Sequence, residues 1–175
     1  LRRYAPLDDA VGHGIRVLVK HENHQPTNAF KARNAISLLT ALEPAQKTRG
    51  MVAASRGNHG AGLAWAGREL GVPVVICVPH GNNPEKNAAM RGFGAELIEA
   101  GRDYDEAVEV ARRVVLDRSM VLAHSTNDAN VIAGAGTLGA EICEQAVELD
   151  AIVVAVGGGS QAVGTLVTAR ALRPS

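Results

Sequence analysis

The sequence predicts an α/β fold with parallel sheets covered by helices on both faces. Three observations predict it. Short apolar runs alternate along the whole chain with segments of helical periodicity. The runs Val74–Val78 and Ala151–Val156 lack polar alternation, as strands buried on two faces do. Glycine-containing loops follow apolar runs at Ser55–Gly60 and Gly157–Ser160, where a strand would turn into a helix.

Each element has its own warrant. Ile15–Lys20 is β-branched and reads as a strand. Asn28–Leu42 reads as a helix with Ala29, Ile36, Leu38, Leu39 and Leu42 on its apolar face and Pro44 beyond its end. Gly50–Ala54 is a short buried strand, and Asn58–Leu70 is a helix of small residues closed by Gly71. Val74–Val78 is a strand, and Pro84–Arg91 a helix with proline in its first turn. Glu96–Glu99 is a strand, Tyr104–Leu116 an amphipathic helix, and Met120–Leu122 a strand. A long helix lies within Val131–Leu149, then comes the strand Ala151–Val156, and Gln161–Leu172 is the last helix.

Composition removes several functions. Of 175 residues, 46% are hydrophobic and 21% charged, which excludes disorder as the main state. Lys+Arg and Asp+Glu are both 18 and aromatics only 3%, so nucleic acid is not an expected partner. No apolar stretch is long enough to span a bilayer, and Leu1-Arg2-Arg3-Tyr4 has no apolar signal region, so no membrane partner is expected. Cys77 and Cys143 make no disulfide framework; they read as inert buried thiols and fit a reducing, cytoplasmic location. A chain that starts at Leu1 and stops at Pro174-Ser175 reads as a piece of something longer.

Chemistry concentrates in a few places. The loop Ser55-Arg56-Gly57-Asn58-His59-Gly60 aims N–H groups and a helix dipole at a carboxylate or phosphate, or else is a plain turn with an Asn cap. Gly157-Gly158-Gly159-Ser160 forfeits backbone entropy, which suits close approach to a phosphate at a helix N-terminus. It formally contains G-x-G-x-x-A at Gly157, Gly159 and Ala162, so a dinucleotide site is a rival reading. Gly134-Ala135-Gly136-Thr137-Leu138-Gly139 is a literal G-x-G-x-x-G without a clear strand before it, and close helix packing explains it better. His21 and His24 follow a strand and precede Pro26, so helical metal-ligand spacing is lacking and no metal is expected. Lys31, in Gln25-Pro26-Thr27-Asn28-Ala29-Phe30-Lys31-Ala32-Arg33, is one of only four lysines.

Together these segments resemble the fold-type II pyridoxal-phosphate enzymes, in the threonine/serine dehydratase and serine racemase branch. Gln25–Arg33 resembles its Q-x-T-G-S-F-K-x-R signature, and Ser55–Gly60 its S-x-G-N-H-G loop. Asp128–Thr137 resembles its V-I-A-G-Q-G-T segment, and Val156–Ser160 its phosphate loop. The motifs occur in the family's order and cover nearly the whole chain. The segments Lys20–His24 and His80–Arg91 resemble most the dehydratases of ectoine-type catabolism.

The resemblance implies a tryptophan synthase β-like fold type II with an incomplete second half. Residues 1–49 would begin a large cofactor domain, 50–126 form a small α/β domain, and 127–175 return to the large one. It implies pyridoxal 5'-phosphate as cofactor and Lys31 as its attachment point and Cα-proton carrier. Phe30 would pack beside the ring, Asn58 would bond its phenolic oxygen, and Gly157, Gly158, Gly159 and Ser160 would hold its phosphate. Ser55, Arg56, Gly57, Asn58 and His59 would surround the substrate carboxylate. The implied activity converts a β-hydroxy amino acid of the threonine or serine class to a 2-oxo acid and ammonia, in a homodimer. Rival readings are β-replacement of the cysteine synthase type and a non-catalytic binding module. Departures matter too: Asn28 and Ala29 replace the usual Gly-Ser, and Asn tolerates a left-handed backbone. Arg56 stands where racemases carry a second serine, which disfavours racemisation and suits a second substrate carboxylate. Ser160 replaces a usual glycine.

Overall fold

The chain opens with a short antiparallel ribbon, β1 (Arg2–Arg3) against β2 (Leu18–Val19), with helix α1 (Ala5–Val11) between them in sequence. The computed structural model describes residues 1–174. Helices α2 (Lys31–Thr40) and α3 (Pro44–Arg49) lead to β3 (Met51–Ala54), α4 (Asn58–Leu70) and β4 (Val74–Val78). Then follow α5 (Pro84–Gly92), β5 (Glu96–Glu99), α6 (Tyr104–Arg118), β6 (Val121–Leu122), α7 (Ala129–Gln145) and α8 (Ser160–Leu172).

The four later strands form one parallel sheet ordered β5-β4-β3-β6. Strand alternation divides its side chains between two cores. Met51, Ala53, Val74, Ile76 and Val78 face one side, packing with Leu63, Met90 and Leu39 from the α4, α5 and α2 helices. Val52, Ala54, Val75 and Cys77 face the other, against Ala107, Ala111 and Val114 of α6. Both faces are therefore covered, as the apolar runs predict. Burial pushes the Cys77 thiol up to about 11, in keeping with an inert group. No helix among the described residues is long and apolar enough to cross a membrane.

A helical layer joins α4: α2 packs between α4 and α7, and α7 against α8. Backbones approach closely there because the contacts are glycines. A Cβ on Gly62 would lie 2.8 Å from the Lys31 carbonyl oxygen, and one on Gly134 2.5 Å from that of Arg33. Gly136 and Gly139 press on Gly164 and Thr165 of α8 in the same way. The G-x-G-x-x-G run is thus a packing surface. Arg33 reinforces the layer: its guanidinium donates to Glu22 and Glu141, and Lys20 donates to Glu141 as well.

The predicted strand Ala151–Val156 does not form. The segment pairs with no strand among the described residues, and Val153 is 96% exposed. Apolarity marks it for burial, but a strand needs a neighbour to bond its backbone. A groove of about 1210 Å³ lies between this segment and the ribbon, reaching Phe30 and Gln161. Ile15–Lys20 is likewise ordered as a strand only at Leu18–Val19, its one partner being the two-residue β1.

Candidate active site

The order of the sheet locates a site before any side chain is considered. The chain steps outward from β3 to β4 to β5, then returns to β6 on the opposite side of β3. The crevice beyond the carboxyl ends of β3 and β6 is therefore the topological switch point, where open α/β sheets bind ligands. Two segments border it: the β3–α4 loop at Ser55–Gly57 and the β6–α7 strap at Ala123–Asn127.

The first loop is built by Ser55. Its buried hydroxyl accepts from Gly60 N at 2.8 Å and Gly57 N at 3.3 Å, curling the chain into α4. Its own N–H is bonded to the Cys77 carbonyl, so Ser55 shapes the loop from inside. Arg56 and Asn58 are exposed at the helix entrance, with Gly57 between them. His59 points the other way, into the protein. It is 6% exposed, and neither ring nitrogen has a hydrogen-bond partner, although the Ala123 backbone lies alongside. Burial first, then the charges of Lys31 and His124, pulls it down to about 3, so the imidazole is neutral.

The strap is held by His124, whose Nδ1 accepts from Asn127 N at 2.8 Å and Thr126 N at 3.2 Å. Asp128 then caps α7, accepting from Asn130 N and Val131 N. The strap meets the glycine loop: a Cβ on Gly158 would lie 2.1 Å from Thr126 Cγ2. Gly159 turns into α8 with φ +94°, a conformation that side chains resist. Gly157 and Gly159 otherwise have nothing within 4 Å of their Cβ positions, so a ligand can approach the backbone.

Lys31 joins the two. Asn28 takes the left-handed conformation its residue type permits, with φ 54°, and α2 then begins at Lys31. The half-buried amine donates to Ser125 O at 2.9 Å and Ser160 Oγ at 3.2 Å. It lies 5.2 Å from the centroid of the Phe30 ring. Burial lowers its proton affinity below the ordinary lysine range. Lys31, Phe30, His59 and Ser160 are thus brought together. Ser125, His124 and Asn34 belong to the same cluster and carry no signal in the sequence taken alone. Asn34 donates to Ser160 Oγ at 3.3 Å, and its Oδ1 is buried without a partner. His21, by contrast, bonds Tyr4 and Asn23 at the ribbon and none of these groups.

These residues fit a pyridoxal phosphate. Its aldehyde and phosphate arm stand on neighbouring ring carbons, so amine and anion cradle must adjoin. Lys31 Nζ touches Ser160, the first residue of α8, where the free N–H groups of a helix start await an anion.

The profile of the family described as "Pyridoxal-phosphate dependent enzyme" matches residues 1–175. An L-threonine ammonia-lyase of Thermotoga maritima is 38% identical over 161 residues, covering 92% of this chain and 40% of that protein. An L-threo-3-hydroxyaspartate ammonia-lyase of a Pseudomonas species is 37% identical over 161 residues, covering 92% of this chain and 50% of that one. The solved structure of maize serine racemase superposes with a TM-score of 0.95 at 32% identity, over 99% of this chain and 52% of that one. The chain thus spans half or less of the length of these two curated relatives.

Proposed function

The chain belongs to the pyridoxal-phosphate-dependent enzyme family, and from that premise we propose that it carries the lysine of a dehydratase or ammonia-lyase site. The substrate would be a β-hydroxy amino acid of the threonine or serine class, converted to a 2-oxo acid and ammonia. The single observation that carries this reading is the half-buried Lys31 amine set against the first residue of α8.

When bound, pyridoxal phosphate supplies an electron sink for the pair left at Cα as its proton departs. This chain's residues do the rest. Gly157, Gly158, Gly159 and Ser160 with the start of α8 bind the phosphate, and Phe30 and Asn58 orient the ring. Burial leaves the Lys31 amine readier to act unprotonated, as covalent attachment and Cα-proton transfer both require. Backbone N–H groups of the Arg56–His59 turn hold the substrate carboxylate, and Ser55 fixes that turn. Arg56, exposed beside them, is suited to a second carboxylate, and a relative named for hydroxyaspartate supports that reading.

The same proposal assigns residues 1–49 and 127–175 to a cofactor domain and 50–126 to a smaller one. In support, every strand of the parallel sheet lies within 50–126, while α2, α7 and α8 pack together. A homodimer and a cytoplasmic location complete it, the first from the resemblance and the second from the cysteine usage.

The test is borohydride reduction after incubation with pyridoxal phosphate, read by intact mass and peptide mapping. A stoichiometric adduct on Lys31, abolished in Lys31→Ala, is expected. Adducts scattered over Lys20, Lys31, Lys47 and Lys86 would refute the assignment. Products formed with sulfide present separate elimination from β-replacement.

A further inference from the structure

Two buried side chains beside Lys31, Asn34 and Ser160, contact each other. Asn34 lies one helical turn beyond Lys31 on α2 and is fully buried. Ser160, 3% exposed, heads α8 more than a hundred residues away in sequence. The Ser160 oxygen receives two donors, Lys31 Nζ at 3.2 Å and Asn34 Nδ2 at 3.3 Å. A hydroxyl has two acceptor positions and one hydrogen. With both acceptor positions taken, the hydrogen must go to a third group. The orphaned Asn34 Oδ1 fits the same scheme. Turning the amide over would satisfy Oδ1 from the serine hydroxyl but strand two N–H donors in the interior, which is rarer than a stranded oxygen.

We propose that Asn34 and Ser160 are a positioning pair for Lys31. Asn34 fixes the serine rotamer; Ser160 holds the lysine amine at the start of α8 and directs its own hydrogen to the phosphate bound there. The proposal rests on the reading of Lys31 as the cofactor lysine. It explains why a serine occupies a position where the resembling family carries glycine: the hydroxyl meets an amide on the facing helix. Both acceptors of Lys31, the Ser125 carbonyl and the Ser160 hydroxyl, favour the ammonium form, whereas burial opposes it. Loss of one acceptor shifts that balance toward the free amine.

The experiment is competitive acetylation of the chain across pH, without cofactor, with peptide mass spectrometry following Lys31 against the exposed Lys86. In Ser160→Ala the Lys31 midpoint should fall by about one pH unit, the size expected for a hydrogen bond to a charged group. Ser160→Gly should do the same and serves if the alanine variant does not fold. Asn34→Ala should lower the midpoint by less, and by nothing in the Ser160→Ala background, because it acts through the hydroxyl. A second arm compares Lys31 adduct formation with pyridoxal phosphate and with pyridoxal, which lacks the phosphate. Ser160→Ala should lose about tenfold more with the first.

A folded Ser160→Ala or Ser160→Gly chain with an unmoved Lys31 midpoint overturns the positioning role. An Asn34→Ala shift that persists without the hydroxyl overturns the pairing. Equal losses with the two aldehydes overturn the donation to phosphate. Failure of the reading of Lys31 itself appears separately, as absence of a Lys31 adduct in the unaltered chain.

Discussion

Replacing Gly134 by alanine tests the tight layer that fixes Lys31. The added Cβ would lie 2.5 Å from the Arg33 carbonyl oxygen, 2.7 Å from Asn34 Cα and 2.9 Å from the Arg33 carbonyl carbon. These are backbone atoms and cannot rotate away. Ordinary contact begins at 3.4 Å, so α2 and α7 must part by about 0.9 Å. Helix α2 cannot simply retreat, because Gly62 of α4 already presses on the Lys31 carbonyl from its other side. Overpacking of this kind costs roughly 1–3 kcal/mol, and the helix propensity gained on replacing glycine offsets up to about 1 kcal/mol. A net loss of up to about 2 kcal/mol is expected in urea unfolding. A shift of that size also carries Lys31 out of range of Ser125 or Ser160. Misplacement by about 1 Å can cost about a hundredfold in rate, so the borohydride-trapped Lys31 adduct should form ten to a hundred times more slowly. Gly92→Ala is the control: it is exposed on α5, with nothing within 4 Å of its Cβ position. That variant should gain about 0.4–1 kcal/mol and trap cofactor normally. A Gly134→Ala chain as stable as the parent, with an unchanged adduct, would refute the reasoning.

Other perturbations follow from the same structure. His59 is held neutral to about 3, whereas in the unfolded chain it takes a proton near 6.5. Its contribution to stability is therefore intact above pH 6.5 and lost as pH falls toward 3, with a slope of up to about 1.4 kcal/mol per pH unit. His59→Leu should flatten the decline of the urea midpoint over that window; an unaltered slope would show that the imidazole is not the cause. Arg56→Ala, in a catalytically active form of the protein, should weaken a hydroxy-dicarboxylic amino acid more than threonine, by about tenfold for one lost charge-assisted contact. Equal changes in kcat/KM for both substrates would remove that role.

The legible parts of the fold share a feature: their boundaries are set locally. The α4 helix runs from Asn58 to Leu70 because small apolar residues fill it and Gly71 accepts a left-handed turn; β4 matches its apolar run, and β5 its expected span Glu96–Glu99, residue for residue. Pro44 is more deceptive. It reads as the stop after α2, yet it also occupies the first turn of α3, a helix whose six residues are too few to show a period. The β1 strand and α1 leave no mark in the sequence for a similar reason, since two residues and seven carry no periodic signal. At the site, Lys31, Asn58 and the glycines are legible through motif spacing. Ser125 and Asn34 are not, because their contacts to Lys31 and Ser160 close over 94 and 126 residues and exist only once the helices pack. Ala151–Val156 differs in the opposite sense: composition describes what a segment would do when paired, and pairing is not a property of the segment.

That unpaired stretch bears on the stiffness of the cradle it feeds. Val156 leads directly into Gly157-Gly158-Gly159, so one flank of the glycine turn is continued by α8 and the other by a segment that pairs with no strand among the described residues. Such a turn binds an anion only in shapes that present its N–H groups convergently. The apparent affinity for an anion is the intrinsic one multiplied by the fraction of time the turn is formed. Any polypeptide that pairs with residues 151–156 would raise that fraction, and would tighten phosphate binding without touching the phosphate.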